Sequence, residues 1–133
     1  MQQLLISVLS DLNNTSADIT ASAVISTDGL PIATMLPSHL NADRVGAMSA
    51  TLLALGNRSV HELACGELDQ VMVKGKNGYI LLSQAGENAV LALMAKESGK
   101  LGLILLNAKR AAKQIAVTIY YTNLKLTTNL TIE

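Results

Sequence analysis

The chain has 133 residues, half of them apolar, and ten Lys and Arg balance ten Asp and Glu. One domain with a sizeable core follows, and a disordered chain is excluded. Neutrality argues against nucleic acid, whose phosphates are held by several basic contacts, and three Tyr with no Phe or Trp offer little for stacking.

Further expectations come from the cysteine count and the apolar runs. Cys65 stands alone, so no internal disulfide is possible and a reducing, cytoplasmic compartment is expected. The first residues carry neither a basic stretch nor a cleavage site, so no signal peptide is read. No apolar run reaches the roughly 18 residues of a membrane helix, so no membrane insertion is expected.

In chain order, Leu4, Leu5, Val8, Leu9 and Leu12 recur at helical spacing. Residues 19–27 alternate, with Ile19, Ala21, Ala23 and Ile25 on one face, Thr20, Ser22 and Ser26 on the other, and Val24 out of pattern. Asp28-Gly29 suits a type I′ turn, and the next strand contains Pro31, which points to a sheet edge. Asn41 is placed to cap a long helix running to about Cys65. Residues 67–75 mix Asp69, Gln70 and Lys74 with apolar residues, as an edge strand does. A tight turn at Lys76-Asn77-Gly78 leads into strand 79–84. The run 89–95 is apolar throughout and belongs mid-sheet, covered on both faces. The last helix is read from Lys100 to about Tyr121, with residues 123–133 as either a short strand or a loose tail. One sheet with helices on both faces is the expected architecture.

Helix 41–65 stands out. Val45, Met48, Leu52, Leu55, Val60 and Leu63 make a broad apolar arc, Gly46, Ala47, Ala50 and Ala54 a small-residue stripe beside it. Only Arg44, Thr51, Arg58 and Glu62 form a polar stripe. A single sheet covers a third to a half of such a helix, so apolar surface is left for a second copy.

Catalytic chemistry is not visible. Phosphate-loop, dinucleotide and zinc-protease motifs are absent, and His39, His61 and Cys65 are too dispersed to suggest a metal site. Cys65 is read as buried and inert. No catalytic residue, cofactor or metal is therefore expected, and an enzyme is not. Lys109, Arg110 and Lys113 on the last helix, with Arg44 and Arg58 on the long one, are candidate contacts for a partner.

Four segments taken in order resemble the Roadblock family: Ala23-Val24-Ile25-Ser26-Thr27-Asp28-Gly29-Leu30-Pro31-Ile32-Ala33, Lys76-Asn77-Gly78-Tyr79-Ile80-Leu81-Leu82, Asn88-Ala89-Val90-Leu91-Ala92-Leu93 and Lys100-Leu101-Gly102-Leu103. That family includes a dynein light chain and bacterial and archaeal relatives encoded beside Ras-like GTPases. The resemblance covers about residues 3–120, the core of a single domain 1–133. It implies an α+β sandwich in the order α-β-β-α-β-β-β-α, with a five-stranded antiparallel sheet. It also implies a homodimer in which the second helices pack together and the third strands pair. Carried onto this chain, that interface comprises Val45, Met48, Ala50, Leu52 and Leu55 on the helix, and Gln70, Val71, Met72 and Val73 on the strand. The partner implied is a small Ras-like GTPase or a motor subunit. A small-molecule sensor of profilin-like or PAS-like architecture is the rival reading, and the scarcity of aromatics counts against it.

Overall fold

A strand that is apolar at every position needs cover on both faces, and Ala89–Ala95 has it. The computed structural model describes the backbone of residues 1–132 and the side chains of residues 1–127. Its elements are α1 (Gln2–Asn14), β1 (Ile19–Ser26), β2 (Pro31–Met35), α2 (Ala42–Glu62), β3 (Gln70–Gly75), β4 (Gly78–Gln84), β5 (Ala89–Ala95) and α3 (Leu101–Ile132). The strands form one sheet in the order β2-β1-β5-β4-β3, antiparallel throughout. The expected α/β sandwich is thus present, with β5 central and α1 and α3 on one face opposite α2.

Side-chain alternation on β5 divides the core into two layers. Leu91 and Leu93 join Leu5, Leu9, Ile104, Ala108 and Ile115 beneath α1 and α3. Val90 and Ala92 join Ala23, Ile25, Leu53 and Leu82 beneath α2. Burying each such Leu or Ile contributes about 1.5–3 kcal/mol, so the larger α1/α3 layer dominates stability. The simple alternation expected of β1 is corrected. Ser22 and Val24 are as buried as their neighbours, because β1 lies inside the sheet with helices over both faces. Ser22 Oγ donates to Asn13 Oδ1 at 2.8 Å, which removes the cost of burying the hydroxyl. A pairing irregularity between Ile19 and Ala21 carries Ile19 into the α1/α3 layer.

The β1–β2 turn also differs from expectation. Among the described non-glycine residues only Ala64 has positive φ, so Asp28 cannot occupy a type I′ position. Instead Ser26 and Leu30 bracket three residues. The Gly29 N–H donates to Ser26 O at 2.9 Å, and Gly29 alone takes positive φ, at 91°. This is the three-residue hairpin with a glycine bulge. Pro31 opens β2 at the sheet edge, as its missing N–H requires.

In α2, Asn41 Oδ1 accepts from the Arg44 N–H at 3.0 Å, and the helix ends at Glu62. Cys65 lies beyond it and is exposed, which corrects the buried cysteine expected. The whole segment Leu63–Glu67 turns away from the sheet, with Ala64 at φ 56° and Gly66 at φ 87°.

The final helix is longer than expected. Residues 123–132, read as strand or tail, continue α3, and residue 133 lies outside the described residues. No Gly or Pro follows Gly102 to stop the helix. The threonines that favour a strand instead turn their hydroxyls onto carbonyls one turn back: Thr118 to Gln114, Thr122 to Thr118 and Thr127 to Asn123.

Candidate functional site

α2 crosses only the half of its sheet face nearest the β1–β2 turn. Its sheet-facing stripe is Val45, Gly46, Ser49 and Leu53, all buried. Gly46 packs on Gly29, and further along Gly56 packs on Val71 and Leu68. These two glycines let the helix approach backbone and strand closely at either end. Beyond Val71 the same face carries Val73, Ile80 and Met94, adjacent across β3, β4 and β5. Val73 and Ile80 are exposed and Met94 half-buried. With Thr20 and Gly78 they line an open depression of about 340 Å³.

The side of α2 away from the sheet is also apolar. Met48 and Leu55 are 56% and 60% exposed, and Ala47, Met48, Thr51 and Leu52 border a shallow hollow of about 360 Å³. The apolar helix side and the bare half-sheet thus belong to the same face of the sheet, on which β3 is the edge strand. β3 is the outermost strand on this side of the sheet, so its outer backbone groups are free to pair with another strand.

The sequence-predicted interface residues fall as follows. Met48 and Leu55 face outward, Leu52 is half-buried against the α2 layer, and Ala50 is half-buried. Val45 is buried inside the protomer at 6% exposure and is not offered to a second copy. It is one turn before Ser49 on the sheet-facing stripe, so helix phase removes it from the outward side. On β3, Val71 lies under α2, Val73 is bare on the same face, and Gln70 and Met72 project to the opposite face. Gln70 donates to Ser83 Oγ at 3.0 Å. Ile80 and Met94 were missed because each sits in a run that also supplies core residues. Only the register of β3, β4 and β5 reveals that α2 stops short of them.

The candidate partner contacts lie apart. Arg58 pairs with Glu62 at 2.9 Å on the exposed side of α2. Lys109 pairs with Asp69 at 3.0 Å, on the other face of the sheet. Arg110 and Lys113 are exposed nearby on α3, and Arg44 is exposed in the first turn of α2. The structure brings Lys109, Arg110 and Lys113 together and separates them from Arg44 and Arg58. Among the described residues no group of His, Cys, Asp or Glu is placed to hold a metal ion. His61 is occupied with Asn57 O, 2.8 Å from its Nδ1. No helix among the described residues is long and apolar enough to cross a membrane.

The chain is thus an α+β domain with helices on both faces of its sheet and with the edge strand β3 on the same side of the molecule as the outward apolar residues of α2. The chain belongs to the Roadblock/LC7 domain family, whose sequence profile matches residues 5–95. It is 39% identical over 108 residues to an uncharacterized protein of Methanocaldococcus jannaschii, covering 81% of this chain and 93% of that one. Its fold matches the Roadblock/LC7 domain from Streptomyces avermitilis at a TM-score of 0.81, with 21% identity, over 86% of this chain and 97% of that one. MglB of Myxococcus xanthus superimposes at a TM-score of 0.81 with 15% identity, over 90% of each chain.

Proposed function

We propose that this protein is a non-catalytic, cytoplasmic homodimer that serves as an interaction platform regulating a small Ras-like GTPase. One observation carries the dimer: the bare half-sheet of Val73, Ile80 and Met94 lies beside the outward apolar residues of α2, next to the open β3 edge. A two-fold axis perpendicular to the sheet and just outside the middle of β3 pairs the outer edge of β3 with that of its copy. Antiparallel pairing inverts the second protomer, so its α2 comes over the half-sheet that this α2 leaves bare. Leu55 and Leu63 then cover Val73 and Ile80 of the other copy, and the reverse. The product is a ten-stranded sheet with both second helices on one face.

Such a dimer presents every other surface twice and rigidly. The GTPase assignment rests on the family, whose relatives include proteins encoded beside Ras-like GTPases. With no catalytic constellation to supply, regulation works by holding switch loops in one of their arrangements. Lys109, Arg110 and Lys113 supply a basic strip for an acidic partner surface. The test mixes the dimer with Ras-like GTPases from the same genome in both nucleotide states and measures binding and turnover. Binding that differs between the two states supports the assignment. Indifference of every such GTPase removes it and leaves the dimeric platform standing.

A further inference from the structure

Two of the chain's three aromatic side chains, Tyr120 and Tyr121, meet at one cleft. It opens where the outer part of α3 passes the β4–β5 turn and the start of the β1–β2 turn, on the side of the sheet opposite α2. Its volume is about 790 Å³, more than twice that of either depression on the α2 side. Cavities of that size take drug-sized molecules. Ile32, Val117 and Ile119 give it aliphatic walls, and the two tyrosines add ring surface.

Gly86 and Ala116 pack together and line both this cleft and a neighbouring hollow, so they mark the boundary between the two. Lys109 and Lys113 line the neighbouring hollow and not the cleft.

The cleft itself has the opposite charge. Glu87 is the only charged side chain that lines it. Among the described residues Glu87 makes no ion pair. The two pairs present join Arg58 to Glu62 and Lys109 to Asp69, and the amino group of Met1, also at the cleft, is not paired with it. A carboxylate beside an apolar cleft attracts a cation and repels an anion. The ring faces act in the same sense, since tyrosine faces are electron-rich and hold cations within about 6 Å. This chain already makes that contact once, with Lys74 Nζ 5.7 Å from the centre of the Tyr79 ring. Tyr120 and Tyr121 meet edge to face with centroids 5.5 Å apart, and each is more than half exposed, at 62% and 63%. Ring surface is therefore left for a ligand.

We propose that this cleft binds a small organic cation, an amine or quaternary ammonium group carried on an apolar body. The body lies against Ile32, Val117 and Ile119, and the head sits between Glu87 and the faces of Tyr120 and Tyr121. No residue of the cleft belongs to the α2 surface, so this binding does not rest on the dimer proposed above.

The test titrates isotopically labelled protein with hexylamine, hexanol and hexanoate and follows backbone amide shifts by NMR. Hexylamine is expected to give saturable shifts centred on residues 85–89 and 116–123. It is expected to bind roughly tenfold more tightly than hexanol, the gain that one exposed ion pair and one cation–π contact supply together. Hexanoate is expected to bind most weakly. Glu87→Gln is expected to abolish the preference for the amine while keeping the binding of the alcohol. Tyr120→Leu/Tyr121→Leu keeps apolar surface and is expected to weaken the amine severalfold more than the alcohol. These three residues are exposed, so both variants are expected to fold, which circular dichroism checks. Equal affinity for amine and alcohol, shifts that never saturate, or an amine preference that survives Glu87→Gln would overturn the proposal. So would tighter binding of an acetylated, amidated Leu-Lys-Leu tripeptide than of hexylamine, since the occupant is then a lysine of a partner protein.

Discussion

Gly46 of α2 lies directly against the carbonyl of Gly29 in the β1–β2 turn, so closely that a methyl group at position 46 would collide with backbone rather than with a movable side chain. This contact sets where α2 sits on the sheet, and hence which half-sheet stays bare. Gly46→Ala is expected to cost about 1–3 kcal/mol, as overpacking does. Gly29→Ala is expected to be destabilising through strain at φ 91°. Gly102→Ala in the first turn of α3 meets open space and is expected to stabilise by up to about 1 kcal/mol. Urea denaturation of the three variants gives the ranking, and an unaffected Gly46→Ala would show that the helix is not held at this point.

The Ser22–Asn13 hydrogen bond should show an asymmetry. Ser22 is fully buried and Asn13 only partly, so truncating one partner strands a different group in each case. Asn13→Ala leaves the Ser22 hydroxyl without its partner in the core and is expected to cost about 1–3 kcal/mol. Ser22→Ala leaves Asn13 Oδ1 within reach of water and is expected to cost less. Equal losses in chemical denaturation would mean that burial does not set the cost.

Core and interface substitutions should separate cleanly on the same helix. Leu53→Ala is expected to lower stability by about 2–5 kcal/mol, because Leu53 is 4% exposed within the α2 layer. Ile80→Lys and Leu55→Lys place charge on surface that is open in the protomer, so the protomer fold is expected to survive while association fails. Thermal melts paired with gel filtration distinguish the two classes.

Charge reversal at Lys109, Arg110 and Lys113 is expected to leave stability nearly unchanged. The Lys109–Asp69 pair has side chains that are 55% and 70% exposed, and pairs of that kind contribute at most about 1 kcal/mol. A partner attracted by these cations is expected to associate more slowly with the reversed variant, most visibly at low salt. Stopped-flow association across ionic strength measures this, and rates independent of salt would remove the basic strip from the interface.

How far the residues disclosed this arrangement depended on whether one cause or several acted on each segment. β5 was legible because an unbroken apolar run admits only a covered central strand, and Pro31 disclosed an edge because its backbone cannot donate. The hairpin was legible but its turn was not, since Asp-Gly serves both the two-residue turn and the bulged three-residue loop. On α2 the apolar arc and the small-residue stripe looked alike. The sheet-facing set includes Ser49, whose polarity hides it, so the helix phase that buries Val45 within the protomer was not legible. The end of α3 carried two compatible periodicities: Leu124 and Leu126 alternate as in a strand, while Ile119 and Leu126 are two helical turns apart. Only tertiary anchoring of the first half of α3, together with the absence of a helix breaker, decides between them.

The most direct test of the proposed dimer is the native mass by light scattering at low micromolar concentration, for wild type and for Met48→Glu. Wild type is expected at twice the 14.0 kDa protomer mass and Met48→Glu at once that mass, with matching circular dichroism. A wild-type mass near 14.0 kDa would contradict the pairing of β3 and α2 across a two-fold axis.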